Sequence, residues 1–530
     1  MNNIRYFKYH SDYVSEESGL TNPNVSYCAN QADVHYKVKD YKDEYLTFEA
    51  LEDGTFSFSL NSIQYSLDSG ETWTTLTTGN STPTVAAGET IMWKASGLTP
   101  TSNGIGTFLS TGSGRFNAKG NVMSLYYGDD FKDETSVAGK NYAFAKLFSG
   151  NTKIVSAEKL VLPSVLSASA FRNSFRACSS LVKAPKLPAT TMMSACYMYM
   201  FYGCTSLTVA PELPATTLAN QCYQTMFYSC SNLSIAPDLP ATSVPPSGYT
   251  AMFYGCTSLT ITPKFSATTL GEWSCYQMFY GCTSLKIVSE LPATTLANYC
   301  YQQMFQGCTN LTTIPKLPAT TLAQYCYYYM FYDCTSLTVA PELPATTLAQ
   351  NCYIGMFRGC TSLTTAPELP ATTLADWCYA SMFHSCSNLS KAPELPATTL
   401  ALACYSNMFK NCRSLLIAPE LPATILVDGL EESGGSGCYE SMFQGSTNLM
   451  VAPKLFATTS KKRCYWDMFN SCKKIDSITC LLTDNSAYEC TKNWLNGVAA
   501  SGTFTKAASM EGWSEGASGI PTGWEVKDAT

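Results

Sequence analysis

The chain has 530 residues, 45% of them apolar and only 14% charged, with a formal net charge of −7. That length suits several ordinary domains or one extended repeat array, and the low charge density excludes long disordered tails. No Lys/Arg-rich block points to a nucleic-acid or anionic-membrane surface, and no apolar run reaches the roughly 18 residues of a membrane span. Histidine occurs three times, as His10, His35 and His384. Histidine-based catalysis and His-rich metal sites are thereby nearly excluded by inventory, and no cofactor is expected.

In chain order, residues 1–45 are polar, Tyr-rich and irregular, and read as an attachment or assembly arm. They lack the apolar segment of a secretory signal. The expectation is a chain that stays in the cytoplasm or leaves inside a particle assembled there. Residues 46–130 switch to period-2 patterning in YLTFEAL, GTFSFSL, SIQYSL and ETIMWKAS, which predicts a small β-sandwich-like domain. Within it, Ser66, Asp68, Gly70 and Trp73 form an S-x-D-x-G-x-x-W pattern that resembles the Asp-box of sialidases and other β-propellers. A single copy is a turn device, not a glycosidase site.

Residues 131–495 are dominated by self-similarity. Met-Phe recurs with Met at 200, 226, 252, 278, 304, 330, 356, 382 and 408, a 26-residue period, and returns at Met442 and Met468. The surplus between Met408 and Met442 lies in VDGLEESGGSG; Ser174-Phe175 and Trp494-Leu495 extend the register, and Leu147-Phe148 begins a looser first copy. Each unit reads approximately CYxxMFxGCTSLTxAPELPATTLAxx. The spacing predicts a short helix over CYxxMFxGC, with Cys, Met and Cys on one buried stripe and Tyr and Phe widening it. SLTxAPELP predicts a short extended stretch whose prolines prevent a regular ladder, and ATT a turn with helix-capping chemistry. A handful of buried side chains cannot offset the ordering of a whole unit, so stacking must stabilise it. Helices packed about 8–10 Å apart against strands about 4.8 Å apart predict a curved array with helices on the convex side. Residues 496–530, Gly-rich between two strand-like runs, are placed as a C-terminal β cap.

Three columns carry candidate chemistry. The two cysteines of a unit would lie about 12 Å apart along a helix, beyond the roughly 7 Å reach of a disulfide. They read as a reduced, buried ladder. The column Glu212, Asp238, Glu290, Glu342, Glu368, Glu394 and Glu420 is interrupted by Lys264, Lys316 and Lys454, which fits a solvated rim better than a calcium site. Opposite the Cys–Met stripe, the columns five and two residues before Met and two after it hold Trp273, Tyr276, Tyr280, Tyr299, Tyr325, Tyr328, Tyr332 and Trp377. Closely spaced exposed aromatics stack on sugars and anchor interfaces. The same pattern also suits packing between adjacent units or an oligomer contact, and both readings stay open. Farther on, the column turns polar at Arg358, His384, Lys410, Gln444 and Asn470. The extended side offers mostly Thr, Ser, Ala and Pro, with few anchors.

The repeated MFxGCTSL followed by APELPATTLA, as at 200–219 and 330–349, resembles the BspA-like leucine-rich repeats of gut Bacteroidetes and their phages. The likeness covers about two-thirds of the chain, and the proline-rich link departs from the family's slightly shorter period. It implies an α+β repeat solenoid and a non-catalytic role in adhesion. The missing signal sequence and the N-terminal arm point to a phage fibre or virion accessory protein. Its partners would be a bacterial surface glycan or protein, and other virion proteins through the arm, with a homo-oligomer as a further option. The alternatives are a purely structural virion component and a bacterial surface adhesin.

Overall fold

The structure, a computed structural model, describes residues 41–112, 114–430 and 436–530. Most of the expected N-terminal arm lies outside the described residues. After it come strands β1 (Leu46–Ala50), β2 (Thr55–Phe58), β3 (Ile63–Ser66), β4 (Thr74–Leu76), β5 (Thr90–Lys94), β6 (Phe108–Thr111) and β7 (Phe116–Asn121). Their alternating apolar residues converge on a core of Phe48, Phe56, Trp93, Phe108 and Phe116, each at most 1% exposed. With β8 (Ile154–Val161) they build a six-stranded sheet in the order β4-β3-β5-β1-β7-β8, and β2 pairs with β6 beside it. The β7–β8 pairing is parallel, so this sheet continues into the first unit of the array.

The Asp-box pattern makes the turn after β3. Ser66 Oγ donates to Asp68 at 2.6 Å and accepts from the Gly70 N–H at 2.9 Å, and Trp73 Nε1 donates to the Gly70 carbonyl at 3.1 Å. Hydrogen bonds from Ser66 and Thr72 hold the Asp68 carboxyl down at about 2.

The repeat array departs from the helical expectation. Among the described residues the only α-helix is the four-residue α1 (Ser124–Tyr127), so the α part of the expected α+β class is corrected. CYxxMFxGC is a ribbon of consecutive turns. Met198, Met200, Tyr202 and Cys204 donate to the carbonyls three residues back, of Ala195, Tyr197, Tyr199 and Phe201. The intervening N–H groups leave the unit: Tyr197 donates to Cys222, Tyr199 to Gln224, Phe201 to Met226 and Gly203 to Tyr228, at 2.8–3.0 Å. Alternate carbonyls accept the local and the inter-unit bonds, so the ribbon satisfies its backbone completely, as a buried segment must.

Such turns need a left-handed residue every fourth position. Ala195, Tyr199 and Gly203 have φ of +52°, +58° and +70°, and the pattern recurs through the array. The position three after Met is filled by residues that accept it, as in Gly203, Ser229, Gly255, Asp333, Asn411 and Gly497. The burial period is therefore four, with Cys196, Tyr197, Met200, Phe201 and Cys204 all at 0% exposure. Side chains at 199 and 202 face outward. Phe rings stack unit on unit from Phe148 through Phe305 to Phe469, with centroids 5.1–5.8 Å apart.

On the opposite side the links make single parallel bridges, as in Val209 with Ile235 and Thr191 with Thr217. Prolines such as Pro211 stop them from growing. The longest pairing there joins two-residue strands β9 (Ser243–Val244) and β10 (Thr269–Leu270). Both sides are thus held by backbone hydrogen bonds between units, and the helix-against-strand packing difference behind the expected curvature is absent. The stack continues from the unit before the insertion to the unit after it, since Tyr405 and Tyr439 are 5.9 Å apart. At the C-terminus β11 (Ser477–Cys480), β12 (Thr503–Lys506) and β13 (Glu525–Asp528) pair in parallel. Tyr465, Trp494 and Trp513 stack in succession, which closes the end of the core.

Candidate recognition surface

The cysteines have an internal task. In the column four after Met, each thiol donates to the Phe carbonyl of the preceding unit, as Cys230 does to Phe201 at 3.0 Å and Cys308 to Phe279 at 3.1 Å. Where Ser446 stands in place of cysteine, its hydroxyl makes the same bond to Phe409 at 2.8 Å. Burial pushes these thiols up, Cys230 and Cys282 to about 12, so the reactive thiolate is suppressed. The described cysteines are buried and unbridged.

The acidic column lies along the proline links. Lys316 pairs with Glu342 at 2.9 Å with both side chains mostly exposed, so the bridge adds little stability and fits a solvated rim. Among the described residues no group of three His, Cys, Asp or Glu is arranged to hold a metal.

The eight aromatic residues singled out from the sequence are half-buried and lie on the turn face. Trp273 and Tyr299 stack at 4.1 Å and 5°, and Tyr299 and Tyr325 at 4.8 Å and 17°. Tyr276 sets its edge against Trp273 at 5.1 Å, and Tyr328 leans on Tyr325 at 5.6 Å. Tyr332 meets Tyr329 at 5.3 Å, and the Arg358 guanidinium lies over the Tyr332 ring at 5.7 Å while donating to Tyr329 Oη at 3.3 Å. Tyr280 ends a second row, Tyr202–Tyr228–Tyr254–Tyr280, with centroids 4.8, 4.4 and 4.6 Å apart. Trp377 is half-buried and outside these stacks. Burial among its neighbours raises Tyr254 to about 12.

Two features change what this face presents. The rings stack on one another along the array, so their faces are mostly occupied and their polar edges line the surface. The aromatic column also begins three units before Tyr280, at Tyr202, and Arg176 caps its start with its guanidinium 5.0 Å from the Tyr202 ring. Both were readable two residues after Ser174-Phe175, Met200, Met226 and Met252, where the column register is unchanged. Tyr329 was hidden because, Tyr199 apart, its column holds small or polar residues in the other units; its ring lies where a Cβ on Gly355 would stand.

The links carry an exposed aliphatic column. Val209, Ile235, Ile261, Ile287, Val339 and Ile417 are 49–67% exposed, one per unit, on the bridge face. That side is therefore less bland than its Thr, Ser, Ala and Pro content implies.

This geometry defines a stacked repeat protein with two solvent-facing ladders. Residues 153–286 and 247–390 match the BspA type leucine rich repeat region, in six copies. Residues 153–390 thus carry BspA-type leucine-rich repeats. A leucine-rich repeat protein from Bacteroides ovatus, known from a crystal structure, is 15% identical over 59% of this chain and 82% of that one, at a TM-score of 0.25. No curated protein matches the chain. Among the described residues, no helix is long and apolar enough to cross a membrane.

Proposed function

We propose that the protein is a non-catalytic recognition protein that engages a bacterial surface glycan or protein through the turn face, as a phage fibre or virion accessory. The observation that carries this reading is the concentration of half-exposed Tyr and Trp on one face of the array. The buried columns below them hardly vary from unit to unit, while the surface columns do. Rows of rigid, amphipathic rings with polar edges supply contact area at low entropic cost. The repeat class supports interaction or adhesion.

A structural role in a particle, without a ligand, gains from the ring stacking. Rings that fill one another's faces are accounted for by packing between units. Binding of the purified protein to intact gut Bacteroidetes cells separates the two. A variant with Trp273, Tyr299, Tyr325 and Trp377 changed to Ala is expected to fold and to lose binding. Equal binding by parent and variant would move the site to the bridge face or the N-terminal sheet. No binding by the parent across a broad strain panel would favour the scaffold. Immunolabelling of purified phage particles tests the virion assignment.

A further inference from the structure

At the N-terminal end of the turn face the tyrosine row runs into an open pocket of about 650 Å³, within the range of small-ligand sites. Lys146, Arg172 and Arg176 supply one part of its wall, and Tyr199, Tyr202 and Tyr228 another. No carboxylate is among the lining residues, although the chain holds 40 Asp and Glu against 33 Lys and Arg. Arg172 Nε is buried and has no hydrogen-bond partner among the described residues. Such a donor is costly to bury unless something brings an acceptor. Lys146 is positioned by donating to Asn103 Oδ1 at 2.6 Å, and the Arg176 guanidinium is laid against Tyr202.

We propose that this pocket binds the carboxylate or sulfate of an acidic terminal sugar, whose neutral following residues lie along the edges of Tyr202, Tyr228 and Tyr254. The proposal rests on the recognition reading above and names its ligand class at one end of the face. Guanidinium forks suit planar and tetrahedral oxyanions. The charge is confined to the start of the row, since the column is uncharged from Tyr202 through Tyr280. That pattern matches a ligand with one acidic terminus, whereas a polyanion such as nucleic acid would need cations along the whole row. Rings 4.4–4.8 Å apart offer polar edges at a spacing comparable to one pyranose residue.

The test is titration calorimetry of the full chain with sialyllactose, with sulfated lactose and with lactose itself, beside Arg172→Gln, Arg176→Gln and Tyr254→Phe. Unchanged melting midpoints establish that the variants fold. At least one acidic probe is expected to bind about tenfold or more tighter than lactose, and to weaken with added salt. Each arginine variant should lose about 10- to 100-fold, and Tyr254→Phe only a few-fold. The preferred acidic probe tells carboxylate from sulfate. Binding no tighter than lactose, no binding of either acidic probe, or folded arginine variants that match the parent would overturn the proposal. If the arginine variants match the parent in calorimetry while the Trp273, Tyr299, Tyr325 and Trp377 variant loses cell binding, the pocket assignment fails and the surface reading stands. If an acidic sugar binds the pocket but no cell is bound, the pocket stands and the surface reading fails.

Discussion

The turn face and the bridge face of the array use the same 26-residue period in opposite ways. On the turn face every second backbone N–H bonds to the next unit, so nine successive residues are tied to their neighbours and aromatic rows stack above them. On the bridge face prolines leave isolated bridges, and aliphatic side chains stand exposed between them. Repetition alone therefore does not make a continuous ladder. It does so where every residue of the unit can place its N–H, and it stops where proline removes one. The rigid face is the one that carries the aromatic rows, and rigidity lowers the entropic cost of binding.

Breaking that contrast should give its largest effect in the buried Phe column. Phe305→Ala is expected to cost about 3–5 kcal/mol, whereas Ile287→Thr on the bridge face should change stability by less than about 0.5 kcal/mol. Denaturant unfolding measures both, and similar losses would show that the bridge face is as integral as the ribbon. Next comes backbone conformation. Gly307 has φ of +74° with only ordinary contacts around a Cβ, so any loss on substitution reports backbone strain and not a clash. Gly307→Val should lose about 1–3 kcal/mol and Gly307→Asn clearly less. Equal tolerance would argue for a helix there after all.

A smaller effect is expected from the thiol donors. Cys308→Ala should cost about 1–2 kcal/mol, and Cys308→Ser less, because Ser446 already makes the equivalent bond. An aromatic disulfide reagent should leave the native thiols of this column unlabelled until the array unfolds, and rapid native labelling would contradict their burial.

The remaining effect is electrostatic and appears only on acidification. Burial, with Arg358 and Lys410 nearby, lowers His384 from 6.5 to about 4. The unfolded chain takes up its proton near the upper value and the folded chain only near the lower one. Its contribution to stability is therefore complete above pH 6.5 and is lost as pH falls toward 4. His384→Gln should flatten the fall of the melting midpoint between pH 7 and 5, and parallel profiles for parent and variant would refute this.

Much of this was legible in the residues. The strict Met-Phe period, the alternation in 46–130 and the Asp-box turn specified a repeat array behind a β region, and the column register placed the aromatics on an outer face. The helix reading failed for a definable reason. A burial period of four cannot be told from 3.6 over nine residues, and Cys, Met and Cys fall on one stripe under either. One sign was present, the run of Gly, Ser, Asp and Asn three residues after Met, which suits left-handed backbone better than a helix interior. Trp273 and Tyr329 themselves carry no such sign, since they are left-handed at φ of +57° and +51° despite their bulk.

By itself the sequence determined the period, the buried columns and the outward position of the tyrosines, because each depends on which side chains avoid water. Only the tertiary structure decided where the backbone hydrogen bonds go, because the partner of Tyr197 lies in the next unit, at Cys222. It alone brought Lys146, Arg172 and Arg176 to one pocket with the start of the tyrosine row. Such convergence depends on the stacking of whole units, which no local pattern encodes.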